Sequence, residues 1–222
     1  MQKIFISREL AEQSDFRRLL AGKAEPIGYS LLEFQATAFG WPKDTDCYFF
    51  YSPRGLRYAL SQWKKPWEQL PLLAALGPAT AAVLQEFGLS ADFIGSGRPA
   101  PTALAFKEWL DQKSVCFFRA EKSKRSIQQL LKGEILAKER IVYSNQPKIQ
   151  FADSQADILV FTSPLNAETY LKAYPKRENQ EILVIGRTTA QKLIEMGYND
   201  FHLATAPKEE ALAQYCLRYL LQ

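Results

Sequence analysis

The sequence predicts an α/β protein made of two similar parallel-sheet lobes, and three observations lead there. Residues 185–197, IGRTTAQKLIEMG, read as a strand end, a glycine turn and a helix, and residues 76–88, LGPATAAVLQEFG, repeat that pattern. Gly77 matches Gly186, Thr80 matches Thr189, Ala81 matches Ala190 and Gly88 matches Gly197, all at one offset. Upstream of each copy stands a second matching pair, Phe50-Tyr51-Ser52-Pro53 and Phe161-Thr162-Ser163-Pro164. Downstream comes a third, Pro101 with Ala103-Leu104-Ala105 against Pro207 with Ala211-Leu212-Ala213. Three matches in the same order indicate an internal duplication. The blander reading is two α/β units that share generic turn chemistry.

The elements follow in order. Residues 3–7 read as a buried strand, 9–21 as a helix ended by Gly22, and 25–29 as a second strand. Such a βαβ start implies a parallel sheet with a right-handed crossover. Residues 31–38 read as an exposed connector. Residues 47–51 (CYFFY) open the duplicated unit, and Ser52-Pro53 turns them into a helix, with proline near its start. Residues 72–76 form the next strand, followed by the Gly77 turn and its helix. A brief strand at 92–95 precedes a helix over 101–112, with Leu104, Ala105, Trp109 and Leu110 on its apolar side. Residues 115–118 are a strand and 126–132 helical. Residues 140–146 return as an extended connector containing Tyr143. The second copy supplies strands at 158–161, 182–185 and 201–204, and helices at 167–173, 189–196 and 209–221.

Three strands after Tyr143 are few for an open sheet, and the N-terminal strands are the natural supply of the rest. This predicts a discontinuous domain, residues 1–30 plus 146–222, with a second domain, 33–141, inserted into it. Two extended connectors then join the lobes, with a cleft between. In open α/β sheets ligands sit outside the carboxyl ends of the strands. Here those ends carry Ser52, Gly77, Ser163 and Gly186. Hydroxyls, free backbone N–H groups and helix N-termini suit carboxylates. At the second turn the early hydroxyls Thr188 and Thr189 read as N-cap candidates, and Gly197 as the C-terminal stop.

Composition narrows the function. With 222 residues and 47% hydrophobic side chains, the chain has enough for packed cores. A net charge of +4, from 28 basic and 24 acidic residues, is too mild for a nucleic-acid binder and fits a small anion. The three cysteines, Cys47, Cys116 and Cys216, have no metal or redox spacing, so a reduced cytoplasm is expected. The start, MQKIFISREL, does not read as a signal peptide, because Arg8 and Glu9 interrupt its apolar run. No apolar stretch reaches membrane-span length; residues 70–84 are broken by Pro71, Gly77 and Pro78.

No conventional catalytic set appears. The single histidine, His202, lies in a strand and reads as structural, with a general-base role as the minor alternative. Metal ligands are not clustered, so no metal site is expected. Gly95-Ser96-Gly97 lacks the Gly-Lys-Ser/Thr of a P-loop, and no Gly-x-Gly-x-x-Gly occurs, so no nucleotide cofactor is expected. Tyr143 has two readings: a strand tyrosine packing one face, or a phenol bordering the cleft that donates a proton to a leaving oxygen. Ser52, Ser163, Thr80, Thr188 and Thr189 read as helix caps and ligand donors together. Arg8, Arg54, Arg119 and Lys122 are candidates for the rim.

The order of these motifs resembles the uroporphyrinogen-III synthase family. The matching stretches are KIFISR (3–8), FYSPRG (50–55), ALGPATAAVLQEFG (75–88), VCFFRA (115–120), IVYSN (141–145), VFTSPLNA (160–167), VIGRTTAQKLIEMG (184–197) and the final Pro-x-x-x-Ala-Leu-Ala element. The resemblance implies two flavodoxin-like α/β lobes joined by a two-stranded connector. It implies a cytoplasmic, cofactor-free lyase of tetrapyrrole and haem biosynthesis, acting on the linear tetrapyrrole hydroxymethylbilane. That substrate loses water, passes through a spiro intermediate and closes with its last pyrrole ring inverted. Tyr143 matches the family's proton donor, and Ser52, Thr80, Ser163, Thr188 and Thr189 match its substrate-binding hydroxyls. A monomer, with at most transient contact to the preceding pathway enzyme, is expected, and no nucleic acid or membrane partner. Three positions depart from the pattern: Arg187 replaces a usual proline, Ala120 a common glycine, and Asn145 a common threonine. The competing expectation is a non-catalytic two-lobed binding protein for an anionic small metabolite.

Overall fold

The computed structural model describes residues 1–220. From the N-terminus come β1 (Lys3–Ile6), α1 (Asp15–Leu20), β2 (Glu25–Gly28) and β3 (Leu32–Ala36). Next are β4 (Cys47–Phe50), α2 (Pro53–Leu60), β5 (Leu72–Ala75), α3 (Pro78–Gln85), β6 (Phe93–Ile94) and α4 (Pro99–Leu110). These are followed by β7 (Val115–Ala120), α5 (Ser126–Leu130) and β8 (Ala137–Pro147). The last elements are β9 (Ile158–Phe161), α6 (Pro164–Ala173), β10 (Glu181–Val184), α7 (Arg187–Glu195), β11 (His202–Leu203) and α8 (Glu209–Leu220). The end of the expected last helix, residue 221, lies outside the described residues.

The chain divides into two compact units, Met1–Glu33 with Gln146–Gln222, and Phe34–Asn145. The first holds a five-stranded sheet in the order β11-β10-β9-β1-β2, whose strand pairs are parallel. The second holds a six-stranded sheet in the order β3-β8-β7-β4-β5-β6, parallel from β8 to β6. The chain leaves the first unit within β3 and returns within β8, and these strands are neighbours in the six-stranded sheet. The predicted class, two similar parallel-sheet α/β units, is what forms. Numbered from β4 or from β9, both sheets run 3-2-1-4-5, so their switch points lie between β4 and β7 and between β9 and β1. For the first unit that numbering is circular: in chain order its strands β1, β2, β9, β10 and β11 stand 2-1-3-4-5, the order of flavodoxin, while β4 to β8 of the second stand 3-2-1-4-5.

Strands buried on both faces account for the continuous apolar runs. In β4 and β7, Tyr48, Phe50, Cys116 and Phe118 pack into one core layer, while Cys47, Phe49, Val115 and Phe117 pack into the other. In the first unit Ile4, Ile6, Ile158 and Val160 face one layer, and Phe5, Leu159 and Phe161 the opposite one. Period-two alternation thus feeds two layers rather than core and solvent.

Some elements differ from expectation. The first helix begins at Asp15, not at residue 9, because Ser14 caps it and accepts the Arg17 N–H at 3.3 Å. Glu209 reinforces that start, accepting Ser14 Oγ at 2.7 Å and Phe16 N at 3.4 Å. Residues 32–36 of the expected connector form β3. On α4, Leu104 is 67% exposed, whereas Ala103, Phe106 and Leu110 are buried at one-turn spacing. The apolar side is therefore one residue out of phase with the reading of Leu104 and Ala105.

Candidate substrate-binding site

In the Phe34–Asn145 unit, β4 hands over to α2 through Ser52, which is extended at φ −156° and ψ 154°. Its Oγ accepts the Gly55 N–H at 3.1 Å. Pro53 has no N–H, which suits the first helical position. A serine hydroxyl that accepts in this way keeps its own proton to donate. Tyr143, on β8, comes to the same turn. A Cβ on Gly55 would stand 3.2 Å from Ser52 Oγ and 3.6 Å from Tyr143 Cε1, which places the ring at van der Waals distance from this turn.

Tyr143 is half-buried. Its ring stacks on Tyr58 with centroids 5.4 Å apart and planes 25° apart, and tilts against Phe34 at 6.2 Å. The Tyr58 hydroxyl donates to the Phe34 carbonyl at 3.1 Å, tying α2 to β3. The Arg54 guanidinium lies over the Phe34 ring, with Cζ 3.4 Å from the centroid. Neither Phe34 nor Tyr58 stood out in the sequence. The available signal was an aromatic in each of the two connectors, Phe34 outbound and Tyr143 returning.

The second helix turn of each copy keeps its conformation: Gly77 has φ −168° and ψ 177°, Gly186 φ −175° and ψ 170°. Both are N-caps, so Gly186, not Thr188 or Thr189, caps α7. The reason is that helical geometry already starts at Arg187. Thr80 and Thr189 are buried, 4% and 2% exposed, with their N–H groups bonded to Gly77 O and Gly186 O at 3.0 Å. Thr188 and Arg187 are exposed. The surroundings of the two turns differ. A Cβ on Gly77 would meet Gly97 Cα at 2.7 Å, whereas one on Gly186 would meet nothing within 4 Å. The Gly95-Ser96-Gly97 stretch thus lies over the first turn, and the equivalent position of the second is open.

Ser163 repeats Ser52 with φ −156° and ψ 153°, accepting Asn166 N at 3.2 Å. Asn166, another residue the sequence did not single out, is buried. Its Nδ2 donates to Ser163 Oγ at 2.9 Å, and its Oδ1 accepts Leu31 N at 2.8 Å. Nearby, Thr162 N donates to Ser7 Oγ at 2.8 Å, bridging the ends of β9 and β1 at the switch point. Ser52, Thr80 and Tyr143 therefore belong to one unit, and Ser163, Thr188 and Thr189 to the other.

The basic candidates separate. Arg119 is 3% exposed and is not a rim residue. Its Nε and Nη2 donate to Glu139 at 2.9 and 2.6 Å, and Nη1 donates to the carbonyls of Ala120 and Glu121. The cause is cross-strand pairing of β7 with β8, which buries the guanidinium against Glu139. This partnership, assisted by Gln128, holds the Glu139 carboxyl down at about 2. Arg8 pairs with Glu209 at 3.3 Å, while Arg54 and Lys122 are exposed. His202 pairs with Glu181 at 3.3 Å and packs on Tyr215, a structural placement on an edge strand. Among the described residues no group of three or more His, Cys, Asp or Glu is placed to hold a metal ion. No helix among them is long and apolar enough to cross a membrane.

Fold and side chains together define a duplicated, doubly wound α/β protein whose strand ends carry helix N-termini capped in turn by serine and by glycine. A family model described as uroporphyrinogen-III synthase HemD matches residues 17–214. The chain belongs to the uroporphyrinogen-III synthase family. The crystal structure of uroporphyrinogen-III synthetase from Helicobacter pylori 26695 superposes with a TM-score of 0.78 at 23% identity, covering 99% of this chain and 100% of that one. A mutant uroporphyrinogen III synthase from the extreme thermophile Thermus thermophilus gives a TM-score of 0.55 at 16% identity, covering 100% of this chain and 99% of that one. Comparison with curated protein sequences finds no match. Family membership carries the functional reading, uroporphyrinogen-III synthesis within porphyrin and haem biosynthesis.

Proposed function

We propose that this chain is a cyclising hydro-lyase that converts hydroxymethylbilane to uroporphyrinogen III, with loss of water and inversion of the last pyrrole ring. Tyr143 is the proposed proton donor. The terminal pyrrole nitrogen pushes the C–O bond to break, the phenol gives its proton to the departing hydroxyl, and water leaves. The resulting azafulvenium cation, formed beside the tyrosine phenolate, is electrophilic enough to need little further acid–base help. The phenolate recovers its proton from the pyrrole that attacks when that ring regains aromaticity. Closure through the spiro intermediate then depends on holding a flexible polycarboxylate in one shape.

Ser52, Thr80, Ser163, Thr188 and Thr189 are the proposed substrate-binding residues. Ser52 and Ser163 keep their hydroxyl protons for a carboxylate, and Thr188 is exposed at the start of α7. Thr80 and Thr189 are covered, so their part is to shape the first helical turn, whose backbone N–H groups face an anion. Work of this kind takes place in the cytoplasm, by a monomer, with a linear tetrapyrrole supplied by the preceding enzyme.

The observation that carries the chemistry is the meeting of Tyr143 with the Ser52 turn across Gly55. The experiment is a product assay with freshly generated hydroxymethylbilane, followed by oxidation and separation of the uroporphyrin isomers. Predominantly type III is expected. Type I alone, the outcome of unassisted closure, would overturn the reading and leave an anion-binding protein.

A further inference from the structure

The geometry points to Arg54 as a substrate-carboxylate contact beside Tyr143. This assignment rests on the tetrapyrrole reading above. Arg57, one turn further along α2, is bidentate to Glu86 at 2.9 and 2.5 Å, and Arg119 is bidentate to Glu139. Arg54 stands apart from both. Among the described residues its guanidinium has no carboxylate and no hydrogen-bond acceptor, and only the face of Phe34 holds it.

A Cζ 3.4 Å from a ring centroid requires the guanidinium to lie flat on that face. Cation–π attraction fixes the plane without using any N–H. The edge donors are left without an acceptor among the described residues, in the fork that matches a carboxylate bidentately. Restricting the side chain beforehand lowers the ordering cost of binding. The same Phe34 ring touches Tyr143, so the cation and the phenol are held by one platform. A hydroxymethylpyrrole presents its acidic side chains next to its leaving hydroxyl. An arginine in this place therefore anchors the ring whose C–O bond Tyr143 helps to break.

Steady-state kinetics with hydroxymethylbilane on the wild type, Arg54→Gln, Arg54→Lys and Phe34→Leu test this. Arg54→Gln should raise KM about tenfold, with kcat within about twofold, and should release more type I product as unbound substrate closes unaided. Arg54→Lys should recover part of the KM, since it restores charge without the planar fork. Phe34→Leu should raise KM less than Arg54→Gln, because the cation remains. KM in Arg54→Gln should also respond less to added salt. An Arg54→Gln enzyme with wild-type KM, salt response and isomer ratio would overturn the assignment while leaving the synthase reading intact. A wild type that yields type I alone would remove both.

Discussion

The ring of Tyr143 stacks on that of Tyr58, with centroids 5.4 Å and planes 25° apart, while the Tyr58 hydroxyl is committed to the Phe34 carbonyl. The two tyrosines of this stack therefore do different work. One phenol is an anchor, and the other has no hydrogen-bond partner among the described residues. Tyr143→Phe should keep the stack and lose the donor, lowering kcat about 100-fold, within the range for a general acid. Full turnover in that variant would sink the proton-donor role. Tyr58→Phe keeps the ring and should leave kcat near wild type, at about 1 kcal/mol of stability for the lost hydrogen bond. Tyr58→Leu removes the stack, so kcat should fall as well.

The two glycine turns provide a paired stability test. At Gly77 an added methyl meets the Gly97 backbone, which cannot rotate away, and Gly77→Ala should destabilise by about 1–3 kcal/mol. At Gly186 the backbone is extended and the space open. Gly186→Ala should therefore cost less than Gly77→Ala, at most about 1 kcal/mol, because alanine is a poorer N-cap than glycine and the smaller entropy of the unfolded chain offsets part of that loss. Urea denaturation of both variants reads the difference, and equal losses would show that the two surroundings are alike.

The Arg119–Glu139 pair sets an acid limb. Glu139 is held at about 2 in the fold against an ordinary value of 4.5 when unfolded. A depressed carboxylate stabilises fully above its unfolded value, and that contribution fades as pH falls towards its folded one. Stability should accordingly decline between about pH 5 and pH 2, and Glu139→Gln should flatten that slope. At neutral pH the variant should lose about 2–3 kcal/mol. Arg119 is left buried without its counter-ion, though the third-exposed position of Glu139 screens part of the effect. Denaturant midpoints across the pH series measure both.

Burial pushes the thiols of Cys47, Cys116 and Cys216 up to about 12, so each is protonated and enclosed in the native protein. Thiolate is the reactive form. Iodoacetamide at pH 8 should leave the folded chain unmodified over minutes and alkylate three sites in guanidinium, read by intact mass. Rapid labelling of the native protein would contradict the packing.

Much of this was legible in the residues because it is local. A Ser-Pro pair at a helix start, a glycine stop at Gly88 and Gly197, and a run such as CYFF each express their preference within a few positions. Repeating such signals twice in one order was enough for the class of fold, while the five hydroxyls were singled out as candidates by their turns and Tyr143 by its connector. The Thr188 cap misled because threonine suits an N-cap, yet the extended Gly186 before it already holds that position.

What only the tertiary structure decided involves partners far apart in the chain. Glu209 reaches back to Ser14 and Phe16 and supports a later start for α1 than helix propensity suggests. Glu139 buries Arg119 and removes it from the surface, while Phe34, twenty residues away, holds Arg54 out on it. Both arginines look alike in sequence. Their fates differ because charge pairing and stacking depend on which side chains the parallel sheets bring within a few ångströms, and no local preference encodes that.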